Sequence, residues 1–126
     1  MNLSSLLSEW IKKIETENPP PANITAINFG MFTSDKGYMV YVTGSEVYDP
    51  DDDDWVGEID YQPARKIKYL LVPREFTTGL KWAGVLDLMV KTLKELADAQ
   101  PGGVLFGGRV LTAGYDDGEL VLVKAV

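Results

Sequence analysis

The stretch Thr33-Ser34-Asp35-Lys36-Gly37-Tyr38-Met39-Val40-Tyr41-Val42-Thr43-Gly44 decides the fold class. Alternation with period two puts Tyr38, Val40 and Val42 on one face of a strand and Met39, Tyr41 and Thr43 on the other. Both faces are largely apolar, which predicts a strand inside a sheet rather than at its rim. The polar loop before it, with glycine at its end, predicts a β-hairpin. Its partner strand runs over residues 24–32. Gly44 ends the second strand.

Working outward, Leu3, Leu6, Leu7, Trp10, Ile11 and Ile14 repeat at the spacing of one buried helical stripe. Asn18 and Pro19-Pro20-Pro21 stop that helix, because proline has no N–H and restricts the residue before it. Residues 67–72 read as a third strand closed by Pro73. A long helix over residues 78–99 follows, with Trp82, Val85, Leu86, Met89, Leu93, Leu96 and Ala97 as its core stripe. Thr77 or Thr78 is its candidate N-cap, and Pro101-Gly102-Gly103 ends it. Residues 110–113 and 120–124 form a closing hairpin around Tyr115-Asp116-Asp117-Gly118. Gly107-Gly108 marks a bulge or a close backbone approach. The order α-β-β-loop-β-α-β-β predicts a single α+β domain: a mostly antiparallel sheet of about five strands with two helices packed on it.

With 126 residues and 45% hydrophobic content, the chain can build one proper core. There is no apolar run of membrane-spanning length and no secretory signal pattern. With no cysteine either, a cytoplasmic location is expected. Histidine is also missing, so Ser-His-Asp and Cys-His nucleophiles and the usual zinc sites are excluded. Remaining chemistry falls to carboxylates, Lys, Tyr or an oxygen-bound hard cation. No residue is assigned as catalytic or metal-ligating, no cofactor is expected, and an enzyme is disfavoured.

The net charge is −7, from 19 acidic and 12 basic residues. From Gly37 through Ala64 there are eight acids and no Lys or Arg, so the rest of the chain is nearly neutral. At the centre of this segment lies Tyr48-Asp49-Pro50-Asp51-Asp52-Asp53-Asp54-Trp55, followed by Glu58, Asp60 and Tyr61. Such a segment repels nucleic acid and anionic membranes and attracts basic partners or cations. The bland reading is a solvated loop. Against it stand the self-repulsion of the aspartates and the aromatic residues beside them, which are typical of recognition surfaces.

Three sharper readings compete. In the first, a basic protein docks here, with Asp49, Asp51, Asp52, Asp53, Asp54, Glu58 and Asp60 supplying charge and Tyr48, Trp55 or Tyr61 anchoring it. In the second, the loop binds a divalent cation: Asp49, Asp51, Asp53 and Asp60 match positions 1, 3, 5 and 12 of an EF-hand count. That count fails where glycine is needed, at Asp54. In the third, Glu58 and a loop aspartate form an acid–base pair, although no spacing singles out such a pair. The basic cluster Arg65, Lys66, Lys68 and Arg74 is too small for a nucleic-acid footprint. It guards a strand edge or pairs with the acidic loop. The sequence does not choose between monomer and oligomer.

The stretch Gly37-Tyr38-Met39-Val40-Tyr41-Val42-Thr43-Gly44-Ser45, with Tyr48-Asp49-Pro50 and Asp52-Asp53-Asp54-Trp55 after it, resembles small bacterial proteins associated with the immunity proteins of polymorphic toxin systems. The resemblance implies a cytoplasmic antidote that binds and blocks a cognate toxin. No catalytic residue comes with it.

Overall fold

The computed structural model describes residues 2–100 and 102–126. Helix α1 (Leu3–Glu17) is capped by Asn2, whose side chain accepts from the Ser5 N–H at 2.9 Å. Strands β1 (Ala26–Ser34) and β2 (Gly37–Ser45) form the expected hairpin. A single 3-10 turn, Asp53–Gly57, follows in the acidic segment. Then come a short helix α2 (Arg65–Lys68), β3 (Tyr69–Pro73), the long helix α3 (Trp82–Ala99), β4 (Val110–Tyr115) and β5 (Val121–Lys124).

The five strands make one sheet in the order β3-β2-β1-β4-β5. Three pairings are antiparallel and one, β1 with β4, is parallel. The parallel pair arises because α3 carries the chain back across the sheet before β4 begins, as a parallel connection requires. The protein is therefore an α+β domain, with β2 an interior strand as its two apolar faces require.

Register sorts the side chains. Phe29 lies opposite Val42 and Met31 opposite Val40. These residues face α1 and α3 together with Ile27, Val72, Leu111 and Ala113. Leu7, Trp10, Ile11 and Ile14 of α1 and Val85, Met89, Leu93 and Ala97 of α3 close this core. The opposite face carries Asn28, Gly30 and Phe32 from β1 and Met39, Tyr41 and Thr43 from β2. No helix covers it. Gly30 leaves room there for the Tyr41 ring: a Cβ at that position would lie 2.1 Å from Cζ of Tyr41 and displace the ring, which lies across the strand.

Several boundaries depart from the sequence reading: β1 starts at Ala26 rather than residue 24, and β2 runs on through Gly44, which pairs with Ile27 and bridges to Tyr61. Ile67, expected to open the third strand, lies in α2 and is buried. The Trp10 indole donates to its carbonyl at 2.7 Å, so a contact from α1 overrides the local preference of a β-branched residue. The long helix begins at Trp82, not at Thr78. Thr77 and Thr78 instead donate to the Arg74 carbonyl at 3.2 and 3.3 Å, closing a separate turn after β3. Consequently Trp82 is not a core residue but is 65% exposed, and the buried stripe starts at Val85. Pro101, read as the helix stop, lies outside the described residues.

Arg109 ties the loops together under the sheet's end. Its side chain is buried, with the residue 8% exposed, and it faces carbonyls rather than a carboxylate. Nε donates to Ile24 at 2.9 Å, Nη1 to Val104 at 2.7 Å and Nη2 to Pro21 at 3.0 Å. Just before it, the Gly107-Gly108 pair makes a close approach, since a Cβ on Gly107 would sit 2.7 Å from the Gly103 carbonyl oxygen. Arg109→Met should cost about 3 kcal/mol by stranding these carbonyls. Arg109→Lys should not rescue it, because a single ammonium cannot span the fork. Urea denaturation checks this, and a loss below about 1 kcal/mol would contradict the role.

Tyr61 is 7% exposed, and its hydroxyl donates to the Asn18 carbonyl at 2.7 Å. Burial pushes this phenol up to about 12, with the nearby Arg109 guanidinium opposing the shift. The unfolded phenol titrates near about 10. Between those values the unfolded chain has lost the proton and the folded chain still holds it. The stabilising contribution is thus complete below pH 10 and is lost as pH rises toward about 12. Tyr61→Phe should flatten this alkaline decline, measured as Tm against pH.

Candidate functional site

The acidic segment is an ordered cover laid over one end of the open sheet face. Trp55 is 5% exposed and packs with Ala26 and Val110, with Tyr48, Val56 and Leu120 around it. Tyr48 meets its ring edge-on at 5.3 Å. Beyond the turn, the Gly44 N–H donates to Tyr61 at 2.8 Å and the Tyr61 N–H returns to Gly44 at 3.1 Å. Two of the three rings offered by the sequence as partner anchors, Trp55 and Tyr61, are thus buried in the chain's own core. Only Tyr48 keeps part of its surface free.

The carboxylates divide into two groups. Four accept from backbone N–H groups, two of them in their own turn and two farther away in the chain. Asp49 accepts from the Asp51 N–H at 2.9 Å, and Asp52 caps the 3-10 turn through the Asp54 N–H at 2.9 Å. Asp53 reaches the Leu120 N–H at 3.2 Å, and Asp60 takes the Glu46 N–H at 2.9 Å. The side-chain carboxylates of Asp51, Asp54 and Glu58 are exposed and make no hydrogen bond or ion pair among the described residues. Aspartates favour such turns because a short side chain can accept from the backbone two residues on.

The EF-hand-like set does not converge, because Asp53 and Asp60 are drawn to different backbone donors. No group of three or more carboxylates among the described residues could hold a metal ion.

The basic cluster does not neutralise the loop. Lys66 pairs with Glu17 at 3.8 Å, and Arg74 donates to the Asp35 carbonyl. Lys68 lies 5.6 Å from the Tyr41 ring centre and 5.3 Å from that of Tyr69, and donates to Gln62 at 2.7 Å. Lys68 and Arg74 instead flank β3 at the sheet edge.

The structure adds residues that sequence reasoning took for a turn and a core. Through Asp53 and Leu120, the acidic segment abuts the β4–β5 turn, which carries Asp116, Asp117 and Glu119. A cleft of about 150 Å³ lies between them, lined by Asn28, Tyr41, Thr43, Asp53, Val56 and Asp116 among others. At its floor Thr112 donates to Asn28 at 2.9 Å. The Tyr41 hydroxyl donates to Asp116. Burial, and then this bond to Asp116, hold the Tyr41 phenol well above its ordinary value. The phenol therefore keeps its proton at neutral pH and donates it in that hydrogen bond to the carboxylate. The Asp-Asp-Gly spelling signalled a turn, but its nearness to Asp53 is a tertiary fact.

Comparison of the chain with protein-family models, with characterised proteins and with solved structures gives no significant match.

Trp55→Ala should cost about 3 kcal/mol by opening a cavity under the loop. Amide exchange across residues 51–58 should rise by at least tenfold, while exchange in α1 changes only by the global loss. Protection retained in the loop would show that another contact holds it.

Proposed function

We propose that this protein is a non-enzymatic binding protein that engages a basic protein partner through its acidic face. Its finer role, on this reading, is that of an immunity-type inhibitor that covers the cationic groove of a cognate toxin in the cytoplasm. One observation carries the proposal. Asp51, Asp54 and Glu58 stand exposed and unpaired on a turn that Trp55 pins to the sheet. Like charges held close together raise the free energy of the isolated molecule, and an oppositely charged surface relieves that repulsion. A pinned turn also loses little conformational freedom on docking.

Other features support the reading. Tyr48 is a half-buried aromatic residue beside the free carboxylates, as at many contact surfaces. A nucleic-acid-cleaving toxin needs a positive groove to hold phosphates, and such a groove complements this face. No helix among the described residues is long and apolar enough to cross a membrane. Among the described residues no group of three or more carboxylates is placed to favour a divalent-cation role.

Combining Asp51→Asn, Asp54→Asn and Glu58→Gln should slow association with the partner by about tenfold at low salt and flatten its salt dependence. The dissociation rate should change less, because these charges lie at the rim. Surface plasmon resonance with the protein captured from the host by affinity purification measures both. An unchanged association rate would overturn this assignment of the surface.

A further inference from the structure

A second, larger cleft adjoins the first at Tyr115, Asp116 and Gly118, at the end of the sheet between the first turn of α3, the end of β1 and the β4–β5 turn. This open cleft has a volume of about 680 Å³, within the range of roughly 300–1,000 Å³ typical of small-group sites. Phe32, Trp82 and Tyr115 give it aromatic walls, and Asp116 and Asp117 lie at its rim. No Lys or Arg lines it. Trp82 is 65% exposed, whereas Trp10 and Trp55 are buried.

These walls are held in place. The Tyr115 hydroxyl donates to the Trp82 carbonyl at 2.6 Å, and the two rings meet edge-on at 6.0 Å. The Asp116 N–H donates to the Met31 carbonyl at 3.0 Å, and the Gly118 N–H to Tyr115 at 3.0 Å. The acidic turn is therefore fixed over the end of β1. A large ring kept in water on a rigid frame is a feature of contact hot spots. Aromatic faces attract cations, and carboxylates beside them add to the attraction. The positive end of α3 opposes a cation here, but with only about half a unit charge against two full carboxylates.

We propose that this cleft receives one lysine or arginine side chain of the basic partner. The alkyl stem lies against Phe32 and Trp82, and the charged head meets Asp116 and Asp117. The smaller cleft joins Asp116 to Asp53, so this subsite continues the acidic face. The inference rests on the proposed function for the identity of the partner, while the chemistry of the cleft is independent of it.

The test uses the full chain, labelled with nitrogen-15, and no partner. It is titrated with the capped tripeptide acetyl-Gly-Arg-Gly-amide, with its neutral citrulline counterpart, and with tetramethylammonium. The arginine peptide should give saturable shifts at the Trp82 indole N–H and at the Asp117 and Gly118 amides. The citrulline peptide should bind at least tenfold more weakly. Trp82→Ala, at an exposed site that tolerates truncation, should remove the response at Gly118. Asp117→Asn should weaken binding at least fivefold.

An equal response to citrulline, shifts that do not saturate, or shifts confined to residues 51–58 would overturn the proposal. Tighter binding of tetramethylammonium than of the arginine peptide would also overturn it, in favour of a free quaternary ammonium ligand. Since the titration needs no partner, it stands or falls separately from the partner kinetics that test the acidic loop.

Discussion

The second face of the sheet carries Ala26, Phe32, Met39, Tyr41, Val110 and Leu71 with no helix to cover it, and apolar surface in water costs free energy in proportion to its area. The rest of the molecule follows from how that face is managed. At one end Trp55 lies over Ala26 and Val110 and brings the acidic segment down with it. In the middle Tyr41 folds across Gly30, where a side chain on the glycine would block it. Toward the β3 edge, Phe32, Tyr41 and Tyr69 pack on one another at 5.9 to 6.3 Å between centres, with Lys68 over two of the rings. A face covered by single side chains rather than by a helix is left with gaps, and the smaller cleft is one of them.

The same arrangement settles the electrostatics. A turn pinned by a tryptophan cannot spread its aspartates apart, so four of the acids satisfy backbone N–H groups and the others point to water. The β4–β5 turn then brings further acids alongside. None of the nearby bases answers them: Lys68 is held over aromatic rings, Lys66 pairs with Glu17, and Arg109 is surrounded by carbonyls. The result is a rigid, one-signed surface with aromatic residues beside it. Such a surface speeds encounter with an opposite charge more than it stabilises the fold.

Local pattern alone makes legible the fold class, a hairpin of two strands near residues 24–32 and 38–43, the face assignment of Val40 and Val42 against Tyr41 and Thr43, the stripe of α1 and most of the stripe of α3. It also locates the charge imbalance. These features are legible because hydrophobic period and turn chemistry act over a few residues, and composition needs no structure at all. Long-range packing alone sets β4 parallel to β1, makes Ile67 helical, puts Trp55 inside and Trp82 outside, and brings Asp53 to the Leu120 N–H beyond the β4–β5 turn. A tryptophan has the same local pattern whether its ring meets a neighbouring strand or water. Which of these it meets depends on what the rest of the chain brings to that place, and for Trp55 that was a sheet face no helix had covered.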